Sequence, residues 1–359
     1  MRCPGARIIK PDPVPRPKKV SQTLLARELG ISQALVSLTL NGRKAGINTE
    51  TYDRIWAHAV KRGYRPKGMH LAASPTAKPK QVGIILRAPL RLNTPSIYFG
   101  HVQHGLHTAL EVRDVRAIFI GAEDQLDAGK LRRAFAAGHE FHGIILIGEV
   151  ARPFLDRLRK IELPIVAVSA RYPGLCHSVL GNETQALESL VQHLAGLGHR
   201  RVGWIGGDVG RGRQEARFQA LQEALAHAGL QLDPRYCIKR QEGDRAEGGE
   251  AVHEVLAHAR RADFPTAFVC YNTSMADGAI KALVREGWRV PRDLSIASAD
   301  ISPIATEGTP RITATGTNPE KLGEAAARLV VEGTAADGFA DLMLPAQLFV
   351  GDTTGPASR

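Results

Sequence analysis

Apolar positions in the first part of the chain recur every three to four residues, and further on they run together in short blocks. The two patterns predict two kinds of structure. Leu25, Ala26 and Leu29 make one helical stripe behind Ser21, a residue suited to cap it. Leu35, Val36 and Leu40 make a second, with Ser32 in the capping position. Ile55, Ala59 and Val60 make a third behind Asn48, and Gly63 and Pro66 bar its continuation. Ala26, Gly30 and Val36 stand at relative positions 0, +4 and +10. The small residue lets two helices cross closely, the glycine supplies a left-handed turn, and the branched residue buries the second helix. That spacing predicts a helix-turn-helix.

From residue 81 onward the pattern changes. Apolar blocks at 82–86, 115–120, 143–147, 165–168, 202–205, 236–239, 266–271 and 294–299 predict strands. Amphipathic stretches lie between them. One is 183–197, where Leu187, Leu190, Val191 and Leu194 form a stripe; others run from about 214 to 228 and from 274 to 286. Such alternation implies parallel sheets covered on both faces. The 279 residues from 81 onward exceed a typical single domain, so two α/β lobes are expected, with a ligand cleft between them. A late helix at 319–332 fits a chain that crosses back between lobes. The expected order is a disordered basic arm (1–17), a helical head (18–65), a proline-bounded linker (66–80) and the two-lobed body (81–355).

Charge sharpens this division. Residues 1–80 hold 16 Lys and Arg against 4 Asp and Glu, while the rest hold 31 against 32. A basic head on a nearly neutral body predicts a polyanion-binding module attached to something else. Hydrophobic residues make up 43% of the 359, enough for full interiors. No run of 18 uncharged apolar residues occurs and the N-terminus lacks an apolar signal core, so no membrane partner is expected. Cys3, Cys176, Cys237 and Cys270 are widely spaced and show no C-x-x-C pair, which fits free thiols in a reducing cytoplasm.

Several motifs resemble the lactose-repressor (LacI/GalR) family of bacterial transcription regulators. In the head they are Ala26, Gly30-Ile31-Ser32, Val36-Ser37, Leu40-Asn41 and Gly63-Tyr64-Arg65-Pro66. In the body they include Leu197-Gly198-His199-Arg200-Arg201-Val202, Ile205-Gly206-Gly207, Pro265-Thr266-Ala267, Val290-Pro291 and Leu294-Ser295-Ile296. The resemblance covers nearly the whole chain after the arm. It implies an α + α/β fold: a three-helix head, a hinge, and a periplasmic-binding-protein-like sensor. It also implies a homodimer on a near-palindromic double-stranded operator, probing a small-molecule effector, with repression the commoner outcome. No cofactor is expected.

In a helix-turn-helix the second helix enters the major groove. Ser32, Gln33, Ala34, Ser37 and Leu38 are then the candidate base contacts. Gln33 can pair with adenine and Ala34 can pack on a thymine methyl. Family members usually carry Arg where this chain has Leu38, so a guanine reader is exchanged for an apolar contact. The alternative for Leu38 is packing inward or on a neighbouring protomer. Lys18, Lys19, Asn41, Arg43, Lys44 and Arg54 are candidate phosphate binders. The family's hinge helix wedges a leucine into the minor groove. That position is Ala73 here, with Met69 and Leu71 as substitutes in another register.

The resemblance places Ser169, Arg217, Arg245, Asn272, Thr273 and Asp300 at the effector cleft. Ser169 stands where an Asp is common, Thr273 replaces the Asp of an Asn-Asp pair, and Arg245 replaces an aromatic platform. These exchanges predict a cleft of positive potential and an anionic or mixed polar effector gripped by Arg217 and Arg245. The alternative is an Arg245 that faces solvent. Enzyme readings find little support: H-E-x-x-H, G-x-x-x-x-G-K-[ST] and G-x-S-x-G are all missing. Residues 206–212 are glycine-rich but read as a strand-end turn. His101, His104 and His107 read as a surface helix sooner than as a metal site.

Overall fold

The computed structural model describes residues 21–40, 47–62, 80–88, 90, 97–136, 141–257, 264–333 and 338–358. The chain divides into two units, Met1–Ala77 and Lys78–Arg359.

The head is three helices started by side-chain caps. Ser21 Oγ accepts from the Leu24 amide at 3.2 Å and opens α1 (Gln22–Leu29), which Gly30 closes at φ 66°. Ser32 Oγ accepts from the Leu35 amide at 3.2 Å at the start of α2 (Gln33–Leu40). Asn48 Oδ1 accepts from the Glu50 amide at 2.8 Å at the start of α3 (Thr49–Lys61). Leu25, Ala26, Val36, Leu40, Ile55 and Ala59 form the core they share. All three caps and this core follow the pattern expected from the sequence. An ion cluster closes the outside: Glu28 on α1 receives His58 Nε2 and Arg62 Nε, each at 2.8 Å, from the end of α3.

The first lobe of the body starts with β1 (Gln81–Leu86), α4 (Ile97–Glu111), β2 (Arg116–Ala122), α5 (Ala128–Ala136) and β3 (Phe141–Ile147). It continues with α6 (Arg152–Arg159), β4 (Ile165–Val168) and β5 (His177–Gly181). The second lobe follows as α7 (Glu183–Gly196), β6 (Arg201–Gly206), α8 (Gly212–His227), β7 (Gln231–Lys239) and α9 (Arg245–Leu256). Then come β8 (Ala267–Cys270), α10 (Thr273–Arg285), β9 (Ser295–Ser298), α11 (Pro303–Glu307) and β10 (Thr313–Gly316). The chain returns to the first lobe as α12 (Pro319–Glu332) and β11 (Asp341–Leu344), and crosses again as β12 (Gln347–Phe349).

Each lobe has a six-stranded sheet, in the orders β11-β5-β4-β3-β1-β2 and β12-β10-β9-β8-β6-β7. All neighbours are parallel except β12 on β10. The late helix α12 seals the first lobe against α4. The approach is close: a Cβ on Gly105 would collide with the Glu320 carbonyl, and one on Gly323 with that of Val102.

Four strands escape the hydropathy pattern: β5, β10, β11 and β12. The sequence of β10, Thr-Ala-Thr-Gly, is polar, yet all four residues are buried. Its polar groups bond inside the protein: Thr315 Oγ1 donates to the Ala186 carbonyl at 2.9 Å, and the Thr313 amide donates to Thr353 Oγ1 at 3.0 Å. β11 alternates exposed and half-buried positions at a sheet edge, so it offers no apolar block.

Hydrogen bonds from Arg62 and then His58 hold the Glu28 carboxyl down at about 2. Its contribution to head stability is therefore complete above the unfolded value near 4.5 and fades as pH falls towards 2. Glu28→Gln is expected to speed amide hydrogen exchange in α1 and α3 relative to the parent at pH 7, leaving both lobes unchanged. The difference should shrink between pH 4.5 and 2 as the parent carboxyl takes up its own proton.

Candidate functional site

Parallel α/β sheets leave their ligand sites at the carboxyl ends of the strands, and both lobes obey this. Arg87 follows β1, Glu149 follows β3 and Ser169 follows β4; Asp208, Tyr271 and Asp300 follow β6, β8 and β9. These residues line one cavity of about 1210 Å³ between the lobes. All six residues expected at the cleft line it: Ser169, Arg217, Arg245, Asn272, Thr273 and Asp300.

Arg217 on α8 forms the floor, with only 1% of its side chain exposed. A buried guanidinium must be paired and hydrogen-bonded. Its Nε lies 3.0 Å from Glu183 Oε2, its Nη1 donates to the Tyr271 carbonyl at 2.7 Å, and Asp300 Oδ2 is 3.8 Å away. Glu183 also receives Arg213 Nε at 3.3 Å. Asp300 is braced in turn: its Oδ1 accepts from the Thr273 amide at 2.8 Å, and Thr273 Oγ1 lies 2.6 Å from Ser302 Oγ.

Three contacts join the lobes across the cavity. Arg87 Nη1 donates to Asp208 Oδ1 at 3.0 Å. Burial raises the Tyr271 phenol and keeps it protonated, and its hydroxyl donates to Asp208 Oδ2 at 3.2 Å within the second lobe. The Glu149 carboxylate accepts from the Gly212 amide at 2.8 Å, placing a negative charge at the amino end of α8. The Arg213 guanidinium sits 4.2 Å from the centre of the Tyr98 ring. Beside them Ser169 holds a left-handed backbone at φ 58°, its Oγ 3.4 Å from the Tyr98 hydroxyl.

Two sequence expectations need correction. Arg245 and Arg217 do not form a free cationic grip. Arg245 is 55% exposed at the cavity mouth and its Nε lies 2.5 Å from Asp277, while Arg217 is taken up by Glu183 and a backbone carbonyl. Nor is the cleft simply positive: Glu149 and Asp208 line it, and Glu183 behind the floor pairs with Arg217 and Arg213, carboxylates that a motif-by-motif reading overlooked. Asn272 is occupied as well. Its Oδ1 caps α10 through the Met275 amide at 2.8 Å, and its Nδ2 donates to the Gly243 carbonyl at 2.7 Å. The glycine-rich stretch at 206–212 is the turn between β6 and α8, and it carries Asp208 into the cavity.

In the head, Ser32, Gln33, Ala34 and Leu38 are exposed and Ser37 is half-buried. Leu38 is 42% exposed, which overturns inward packing for that residue. Arg54 is exposed on α3. Lys18, Lys19, Asn41, Arg43, Lys44, Met69, Leu71 and Ala73 lie outside the described residues. His101 on α4 meets Glu320 at 2.8 Å, whereas His104 and His107 face solvent. Among the described residues no group of three or more His, Cys, Asp or Glu could hold a metal ion.

Residues 191–354 match the model of the periplasmic binding protein-like domain. Catabolite control protein A of Priestia megaterium is 25% identical over 313 residues, spanning 86% of this chain and 90% of that protein. The HTH-type transcriptional regulator AglR of Rhizobium meliloti is 28% identical over 345 residues, 93% of this chain and 94% of that one. A solved LacI family transcriptional regulator from Mycobacterium smegmatis is 25% identical, with a TM-score of 0.64, covering 77% of this chain and all of that one. Relatives named as regulators thus span the head as well as both lobes. Over nearly its whole length the chain is similar to transcription regulators of the LacI type.

The charge cluster at the cleft floor is also a stability element. Glu183→Ala strips a buried guanidinium of its carboxylate, and urea unfolding of the body is expected to show a loss of about 3–5 kcal/mol. Arg217→Met removes the buried charge itself and leaves Glu183 with Arg213, so its cost should be clearly smaller. Equal losses for the two variants would contradict this assignment.

Proposed function

We propose that this regulator grips a near-palindromic operator as a homodimer, acting as a repressor in the cytoplasm without catalysis, and that a small polar effector in the cleft sets its grip. The observation that carries the reading is the cavity between the lobes, whose walls meet across it at Arg87–Asp208, Glu149–Gly212 and Arg213–Tyr98. A ligand entering there must either bridge Arg87, Asp208, Glu149 and Arg213 or compete with the bonds they make to one another. Either way it acts on the equilibrium between lobe arrangements. Structures of similar fold support a polar ligand. The transcriptional regulator CelR is solved as a cellobiose complex (21% identical, TM-score 0.66), and the lac repressor dimer is solved on its operator with an anti-inducer (17% identical, TM-score 0.64).

The mix of guanidinium and carboxylate groups suits a ligand with both donors and acceptors, such as a sugar or a sugar acid. Arg213 and Tyr98 offer it a cationic edge and an aromatic face.

Duplexes retained from a random pool supply the operator, and calorimetry against neutral sugars, sugar acids and sugar phosphates supplies the ligand. Operator affinity is expected to fall steeply with salt, as phosphate contacts require. A binding ligand should shift it by about 5–150-fold, the usual range of coupling between sites. Operator affinity unmoved by every ligand that binds would overturn the control mechanism, and failure to retain any duplex would overturn the function.

A further inference from the structure

The reading helix of the head is uncharged. From Gln33 to Leu40, α2 is Gln-Ala-Leu-Val-Ser-Leu-Thr-Leu, with neither a basic nor an acidic side chain. Val36, Thr39 and Leu40 are buried and fix its inner side, so its outer side is set in orientation. That outer side carries Gln33, Ala34 and Leu38, all exposed. Ala34 and Leu38 are four residues apart and so stand above one another on one helical face. A lone exposed leucine says little on any protein surface. Here it is half of an exposed apolar pair on the outer face of the second helix of a helix-turn-helix, beside the Gln33 amide.

The bases differ in what they show such a face. Guanine presents two acceptors to the major groove, and the side chains that read both are arginine and lysine. α2 has neither. Adenine presents a donor and an acceptor, which the Gln33 amide can match, and thymine presents a methyl group, which only apolar side chains read. We infer that α2 reads an A·T-weighted half-site, with the thymine 5-methyl group as the feature recognised by Leu38 and Ala34. This rests on the operator-binding reading and names the chemistry of the operator.

The experiment uses the full chain and the operator retained from a random pool. Thymines of each half-site are replaced one at a time by uracil, which removes the 5-methyl and keeps every hydrogen-bonding group. Affinity is expected to drop about fourfold at the methyl that Leu38 covers, the ratio equivalent to burying one methyl group at about 0.8 kcal/mol. Leu38→Ala should show the same drop on the thymine operator and no additional drop on the uracil one. An unchanged melting temperature would show that the exposed position was altered without loss of fold. Leu38→Arg should move the selected base at that step towards guanine. Retained half-sites dominated by G·C under the helix, or operators indifferent to uracil throughout, would overturn the inference while leaving operator binding intact. If no duplex is retained, both fall together.

Discussion

A guanidinium with 1% of its surface exposed has to find its partners inside the protein, and the partners of Arg217 come from three separate stretches of chain. Glu183 opens the helix that follows the first crossing between lobes. The Tyr271 carbonyl and Asp300 lie just beyond two central strands of the second sheet. Satisfying one arginine therefore pins the crossing segment to the strand ends and sets the floor of the cavity. Thr273, Ser298 and Ser302 extend the bracing around Asp300, so the carboxylate is held by several bonds at once. The cost of leaving any member unpaired in low dielectric is what makes the arrangement singular.

The bonds between lobes have a different character. Arg87–Asp208 and Glu149–Gly212 sit at the cavity wall, where the side chains of the first pair are 13% and 16% exposed. Groups at the wall of an open cavity can exchange a partner for a ligand group that supplies an equivalent charge-assisted bond, so such an exchange leaves no charge unpaired. A rigid floor with exchangeable walls is what a sensor needs. On the proposed reading, ligand contacts would be made against a fixed base, and their free energy would act on the relation between lobes.

Legibility in the sequence followed the reach of each interaction. Head caps at Ser21, Ser32 and Asn48 act within three residues and could be read directly, as could the apolar stripes behind them. Strands of continuous Val, Ile and Leu were readable because burial on both faces leaves no polar period. β10 was not, since its threonines are buried through bonds to residues some 40 and 129 positions away. The cleft divided along the same line. Arg217, Asn272, Thr273 and Asp300 stood in recognisable neighbourhoods, whereas Arg87 and Asp208 are partners across 121 residues. Their signal was positional: each follows the carboxyl end of a parallel strand, where ligand sites gather. Arg245 shows the converse hazard, a charge assigned to ligand on its position that a neighbouring helix had already claimed through Asp277.

The two ends of the molecule are matched in strength. On the proposed reading, the uncharged α2 would offer hydroxyl, amide and apolar contacts to each half-site, and a single head would discriminate weakly. Most of the attraction to a duplex would then come from the basic residues of the head, since phosphate contacts carry affinity without sequence information. Specific occupancy would need two heads at the spacing of two half-sites. Recognition that depends on spacing is vulnerable to small changes in the geometry of the protein that sets it. A cleft whose walls change partners with ligand is suited to make such changes. On the proposed reading, modest base contacts in the head and an adjustable body would act on the same quantity, the affinity of a paired site.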